Sequence, residues 1–348
     1  MVSLEHFNFP LCVHCNTFNH SDLIIDAMNG FCAQNTTFPF ICIIVDDAST
    51  DGEPEIIKQY LDENFDSVIY PFKEETSDYC FTFARHKENE NCYFAVFFLK
   101  SNHYQIKKTK SAYYRSCDSN SRYIAICEGD DYWTNPDKLQ IQFDFLESHS
   151  DYSMCFHNAI EHWEDGSKED SLFSHIENRD YIGSEFFRDW IIPTASVVFR
   201  AEVIYKQYYK NLISSIANIS SYNKTHLPGD IIVFISCANE GKVRGMDFIA
   251  SVYRRHTNSA TFVMSYWGYI QNYYYFQKVL ESPYNEISID LFFEGAPHMF
   301  VAFLKNKVMR RSILKKSFDI SVTRTFKEYI KYFYKVLIDK LSHFRNDS

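Results

Sequence analysis

Two apolar runs that each stop abruptly at acids constrain this chain most. Phe40-Ile-Cys-Ile-Ile-Val45 stops at Asp46-Asp47, and Tyr123-Ile-Ala-Ile-Cys127 stops at Glu128-Gly129-Asp130-Asp131. The first run has no polar position and is rich in β-branched residues. That is the pattern of a strand buried on both faces, as in a parallel sheet covered by helices. The acids therefore mark strand ends.

Helical spacing separates the strand signals. Leu23, Ile24, Ala27, Met28 and Phe31 recur on one face after Ser21, a candidate N-cap followed by Asp22. Pro54 opens a second helix where its missing N–H is harmless. Leu139, Phe143 and Leu146 line one face of a helix expected over residues 137–148. Helices are also expected over residues 103–117 and 229–239. Further strands are expected at residues 11–15, 67–70, 93–99, 152–156, 195–200 and 248–253. The polar stretch 71–91 gives no clear pattern. Alternating β and α elements predict an α/β fold with a mostly parallel central sheet and helices on both faces. Strand signals stop after about residue 261. Residues 1–260 are expected as one domain, and residues 261–348 as a helical, basic and aromatic C-terminal extension.

The chain has 348 residues, 46% of them hydrophobic and 23% charged, which suits a sizeable core and argues against disorder over most of the length. Several of its ten cysteines sit inside apolar runs, as buried thiols do in a reducing compartment. Cys12-Val-His-Cys15 is formally a CxxC, but it falls in a strand and has no second pair at zinc-ligand spacing. The first ten residues carry no basic segment followed by a long apolar one, and no stretch approaches the roughly 18 uncharged apolar residues of a membrane span. The expectation is a cytoplasmic protein, free or peripheral at the inner face of the membrane.

Net charge is −10, but residues 305–348 hold 12 Lys and Arg against 4 Asp and Glu, leaving −18 on the remainder. Within that segment Lys327, Lys331, Tyr332, Phe333, Tyr334, Lys335, Leu337 and Lys340 mix basic and aromatic groups. The combination suits an anionic membrane surface. No nucleic-acid partner is expected.

In open α/β sheets, ligands bind in the crevice beyond the carboxyl ends of the strands. Acids placed there can bind a divalent cation, accept hydrogen bonds from a base or sugar, or act as bases. Two acid clusters beside one crevice repel each other unless a cation intervenes. Mg²⁺ or Mn²⁺ fits, because hard cations prefer carboxylate oxygens and share substrate phosphates. Asp51, in Ser49-Thr50-Asp51-Gly52, reads as a turn former. Three acids in four residues beside Tyr132-Trp133 are a poor design for a mere turn.

These segments resemble those of family 2 glycosyltransferases with the type A nucleotide-sugar fold, especially bacterial polysaccharide-building members. The matching residues are Thr17-Phe18-Asn19-His20, Ile44 to Gly52, Tyr123 to Leu139, Gly229-Asp230 and Tyr253-Arg254-Arg255-His256. The resemblance spans about residues 8–260. It implies a nucleotide-diphosphate sugar donor, a saccharide or lipid-linked saccharide acceptor, inversion, and Mn²⁺ or Mg²⁺. It makes Thr17, Phe18 and Asn19 donor-binding, with Phe18 stacked on the nucleotide base. Asp47 hydrogen-bonds the base, and Asp46 supports the turn or the ribose. Asp130 is the first metal ligand and Asp131 the second. Glu128 stands where an Asp is usual, so its role is a ribose, water-mediated or metal contact. Asp230 is the general base, with a helix N-cap as the plainer alternative. Arg254 and His256 face the diphosphate or the metal, or only end a strand. Asn102, Lys107 and Lys108 match donor-contacting positions loosely.

Two other classes stay open. A metal-dependent nucleotidyltransferase also joins paired acids to an α/β sheet, but Asn16 to His20 has no glycine for a phosphate loop. A catalytically inactive nucleotide-sugar-binding protein would keep the crevice and lose the base.

Overall fold

The computed structural model describes residues 8–66, 72–118, 120–223, 229–256, 276 and 279–291. Along the chain come β1 (Leu11–Thr17), α1 (Ile24–Cys32), β2 (Phe40–Asp46) and α2 (Glu53–Asn64). A short β3 (Phe65–Asp66), then β4 (Phe72–Glu75) and β5 (Tyr79–His86), lead to β6 (Cys92–Leu99). Next are α3 (His103–Ile106), α4 (Ser111–Asp118), β7 (Tyr123–Ile126), β8 (Tyr132–Trp133) and α5 (Lys138–Ser148). The remaining elements are β9 (Tyr152–Trp163), β10 (Ser171–Leu172), β11 (Asp180–Tyr181), α6 (Gly183–Asp189), β12 (Val198–Arg200), α7 (Gln207–Asn223), α8 (Gly229–Glu240) and β13 (Lys242–Arg255).

The strands form one sheet in the order β11-β13-β9-β12-β7-β1-β2-β6-β5-β3, with β10 beside β9, β4 beside β5 and β8 beside β13. Its centre, β7-β1-β2-β6, is parallel. Antiparallel pairs extend it on both sides, through β12 on one flank and β5 on the other. The sheet is thus mixed, with the expected parallel set at its middle.

Every residue of β2 is buried. Phe40, Cys42 and Ile44 join a core with Ile24, Ala27, Met28 and Phe31 of α1, Ile57 and Leu61 of α2, and Leu139 and Phe143 of α5. Ile41, Ile43 and Val45 point into a second core with Tyr113 and Tyr114 of α4. Helices therefore cover both faces, which is why the run needed no polar position. Cys12 and Cys15 lie in these two different cores, on opposite faces of the sheet. That separation rules out joint chelation, and none of the nine cysteines whose side chains are described is in a disulfide.

Some elements depart from expectation for local reasons. Hydrogen bonding of α1 begins at Ile24 rather than behind Ser21, whose backbone N–H donates to Asp51 Oδ2 at 2.9 Å. Asp51 also accepts from Glu53 N at 3.1 Å, so it ties two loops together as well as forming its turn. The helix expected over residues 103–117 is split in two by Lys107, whose φ of 58° is left-handed. The strand expected at residues 67–70 and the basic segment 305–348 lie outside the described residues. The stretch 71–91 contains the antiparallel pair β4–β5. The chain divides into two compact units, Met1–Ser214 with Pro228–Val263, and Ser215–Leu227 with Met264–Ser348. No described helix is long and apolar enough to cross a membrane.

Candidate active site

Parallel pairing of β1, β2 and β7 sends the segments after all three strands to one edge of the sheet. The acidic turn is held there by continued backbone pairing. Cys127 N donates to His14 O at 3.0 Å and Gly129 N donates to Asn16 O at 2.9 Å. Gly129 lies so close to β1 that a Cβ would fall 2.3 Å from Thr17 Oγ1 and 2.6 Å from Thr17 Cβ. Only glycine fits. Strand β13 brings a fourth segment, because Arg254 N donates to Asp131 Oδ1 at 2.9 Å.

This bond separates the two acids expected as metal ligands. Asp131 is 3% exposed and turned toward the end of β13. Burial and the neighbouring Asp130 push its carboxyl well above the usual range. Asp130 instead joins two imidazoles. His256 Nε2 lies 3.1 Å and His20 Nε2 3.9 Å from Asp130 Oδ2. The three ligand atoms lie within 4.8 Å of one another. Burial raises the Asp130 carboxyl, but its hydrogen bond to His256 and the charge of both rings outweigh that and hold it below the usual range. The two rings meet edge to face at 5.6 Å between centroids. Among the described residues, Asp131 is not part of this cluster.

Beneath the cluster lies Glu53, fully buried at the start of α2. It accepts from Thr17 Oγ1, from His20 N at 2.9 Å and from Ser49 Oγ at 2.8 Å. Thr17, expected to touch the donor, is 2% exposed and faces this carboxylate. Asn19 is similarly engaged. Its N–H donates to Ser49 Oγ at 2.9 Å, its Oδ1 accepts from Thr50 N at 2.8 Å, and its left-handed φ of 56° suits asparagine. Phe18 is half-buried beside them and, among the described residues, packs against no other ring.

Asp47 is 1% exposed and organises the loop after β6. It accepts from His103 N at 2.6 Å, Tyr104 N at 3.1 Å and Lys110 Nζ at 2.9 Å. About one of a carboxylate's roughly four acceptor positions is left for a ligand. Asp46 is also 1% exposed and accepts from Ser49 N at 3.2 Å, the turn-supporting role. Burial, opposed by the Ser49 hydrogen bond, pushes its carboxyl up to about 7. Asn102 caps α3 through Gln105 N at 2.8 Å, and Lys108 pairs with Asp78 at 3.2 Å.

Glu128 and Asp230 face one electrostatic environment. Burial, then repulsion from Asp130 and more weakly from Asp230, push the Glu128 carboxyl up to about 7. Asn16 Nδ2 donates to it at 3.4 Å. Asp230, half-buried in the first turn of α8, accepts from Thr194 Oγ1 at 3.0 Å and from Ile231 N at 2.8 Å. Burial raises its carboxyl above the usual range.

Arg254 lies beside the acidic turn, its Nη1 donating to Asp130 O at 3.4 Å. Its side chain is 6% exposed and points toward α1. Its guanidinium pairs with Asp26 and lies over the Tyr132 ring at 4.4 Å. Its Nε sits 2.7 Å from Glu164 Oε1, an ionic contact without hydrogen-bond alignment. Two carboxylates hold it as a clamp between β13 and the first helix. His256, two residues on, does reach the acids. The sequence reading missed His20 and Glu53 as site residues. Their signal was position: His20 follows β1, and Glu53 opens the helix after β2.

Residues 12–91 match glycosyl transferase family 2. Uncharacterized proteins of Mycobacterium tuberculosis and Mycobacterium bovis are each 30% identical over 243 residues, 70% of this chain. The chain spans 58% of the length of these curated relatives. The crystal structure of S. aureus TarS 1–349 in complex with UDP-GlcNAc shares the fold at 12% identity and a TM-score of 0.51, covering 83% of this chain and 72% of that one. These matches support a glycosyltransferase of the family 2 type.

Proposed function

We propose that the chain transfers a sugar from a nucleotide-diphosphate donor to a saccharide acceptor, with inversion, in the building of a surface polysaccharide. One observation carries this reading. The acidic turn and two imidazoles meet at the carboxyl edge of a parallel sheet, the usual ligand site of such folds, and the charge of Asp230 adds to the rise of the Glu128 carboxyl there. The residues present fit a divalent cation, since Asp130 and His256 offer an oxygen and a nitrogen 3.1 Å apart. A cation held there would offset charge on a diphosphate leaving group. The UDP-GlcNAc in TarS makes UDP-sugars the first donors to try.

The remaining steps belong to the chain's own groups. Phe18 stacks on the nucleobase, a contact worth about 1–3 kcal/mol. Asp47 turns its remaining acceptor position to a base N–H. Asp230 takes the proton of the acceptor hydroxyl as that oxygen bonds to the anomeric carbon and the bond to the diphosphate breaks. Its raised carboxyl is a stronger base than an exposed Asp. Residues 1–260 supply this machinery. The basic residues of 305–348 hold the enzyme at the cytoplasmic face of an anionic membrane, near a lipid-linked acceptor.

A thermal-shift screen of nucleotide sugars with and without Mn²⁺ tests the donor site. A ligand at 100 times its Kd stabilises by about 2.7 kcal/mol. One donor class is expected to shift the midpoint selectively, and no shift with any nucleotide sugar at millimolar concentration would count against the reading. One observation favours a second reading, an inactive binding protein: both Asp230 oxygens already hold partners. It predicts donor binding without turnover.

A further inference from the structure

The contacts of Thr17 fix which nitrogen of His20 carries a proton. Thr17 Oγ1 donates to Glu53 Oε1. Glu53 also receives His20 N and Ser49 Oγ, and Ser49 Oγ is free to donate because it accepts from Asn19 N. Three donors around one buried carboxylate are what an ionised, acceptor-only group requires. The hydroxyl proton of Thr17 is therefore committed to Glu53. In the 3.2 Å contact between Thr17 Oγ1 and His20 Nδ1, the imidazole must be the donor.

A neutral imidazole that donates from Nδ1 keeps its lone pair on Nε2. That atom faces Asp130 Oδ2 at 3.9 Å. A lone pair pointed at a carboxylate oxygen, in a side chain only 13% exposed, is relieved either by a proton on Nε2 or by a cation between the two atoms, and 3.9 Å is too long for a hydrogen bond but leaves room for a cation. The distances allow one. Two ligand atoms each about 2.1 Å from an ion are at most about 4.2 Å apart. The separations of 3.1 Å and 3.9 Å from Asp130 Oδ2 fall inside that limit, and the two imidazole nitrogens, within 4.8 Å of each other, need to approach by no more than about 0.6 Å. A metal-bound histidine whose other ring nitrogen donates to a fixed acceptor is the usual arrangement. Here Thr17 and Glu53 supply it.

We propose that His20 is a third protein ligand beside Asp130 and His256, and that this two-imidazole, one-carboxylate set selects first-row transition ions over Mg²⁺. The place of the ion rests on the donor-site reading, but its binding to free protein does not. Imidazole suits the later divalent ions of the first row, whereas Mg²⁺ prefers carboxylate, phosphate and water oxygens and holds its octahedral waters tightly. The expected affinity order is Mg²⁺ below Mn²⁺ below Co²⁺. In a site of carboxylates and diphosphate alone, Mg²⁺ and Mn²⁺ would compete on closer terms.

The test uses the full chain without nucleotide. Calorimetric titration with MgCl₂, MnCl₂ and CoCl₂ gives the order, and His20→Ala is expected to weaken Mn²⁺ and Co²⁺ by about 10- to 100-fold. Unchanged Mn²⁺ affinity in a folded His20→Ala protein, or Mg²⁺ binding as tightly as Mn²⁺, overturns the proposal. If that variant misfolds, pulsed EPR of Mn²⁺ on the wild type decides. Nitrogen couplings from two imidazoles support the proposal, and coupling from one or none refutes it. Nucleotide-sugar binding measured on the wild type with Mn²⁺ present separates the two readings. Its absence with Mn²⁺ affinity intact defeats the donor-site reading and leaves His20 a ligand.

Discussion

Replacing Gly129 by alanine is the smallest change expected to disturb the acidic turn. Gly129 has no left-handed φ, so alanine brings no backbone penalty, only a methyl group. That methyl would sit 2.3 Å from Thr17 Oγ1 and 3.0 Å from Ile24 Cδ1. Ordinary contact begins at about 3.4 Å, so the turn must move by about 1 Å or Thr17 must yield. Thr17 is 2% exposed and bonded to Glu53 and His20, so it cannot swing aside. Overpacking of this kind typically costs about 1–3 kcal/mol. The same displacement separates Asp130 from both imidazoles, and a 1 Å misplacement can cost about 100-fold in a positioned site. Urea unfolding followed by tryptophan fluorescence measures the first effect, and Mn²⁺ titration the second. Gly229→Ala is the control, since nothing lies within 4 Å of its added Cβ. A Gly129→Ala protein with wild-type urea midpoint and Mn²⁺ affinity would refute this account of the turn.

Ile44 is fully buried at the middle of the sheet, and Ile44→Ala is expected to lose about 2–5 kcal/mol in urea unfolding. A loss below about 1 kcal/mol would show that the two-sided core is less tightly packed than described. Arg254→Ala is expected to lower stability by about 1–3 kcal/mol and leave donor affinity within a few-fold of wild type. A large loss of donor affinity at unchanged stability would place Arg254 at the diphosphate. Asp46 carries a pH dependence. Its carboxyl is raised from 3.8 to about 7, so the folded protein binds the extra proton between those values. The stability it contributes is fully present below pH 4 and lost as pH rises through about 7, on the order of a few kcal/mol. Asp46→Asn is expected to flatten that decline, and an unaltered pH–stability curve would contradict the assignment.

The parts legible in the sequence were those governed by short-range pattern. Six apolar residues in a row at Phe40 to Val45 require burial on both faces, so the parallel centre and its acid-bearing edge follow. Contacts across long sequence separations were not legible. Arg254 sits 228 positions from Asp26, and only the fold shows that they pair. Asp130 and Asp131 are adjacent and chemically identical. The end of β13 distinguishes them by capturing one. His20 stood in the family-like segment beside Phe18, yet no spacing rule joins it to an aspartate 110 positions away. In β5, Tyr79, Phe81 and Phe83 alternate with Cys80 and Thr82 and face one core, a strand signal present in the sequence, whereas β4 is polar after Phe72 and carries none.

The central claim is that Asp130 and Asp230 serve one sugar-transfer site. Incubating purified protein with UDP-sugars and Mn²⁺, and measuring released nucleoside diphosphate and the anomeric configuration of the product by NMR, tests it most directly. The account predicts release by wild type with inverted configuration, near-complete loss in Asp130→Ala, and a fall of about 100- to 10,000-fold in Asp230→Asn. Wild-type rates in Asp230→Asn, or a product of retained configuration, would contradict it.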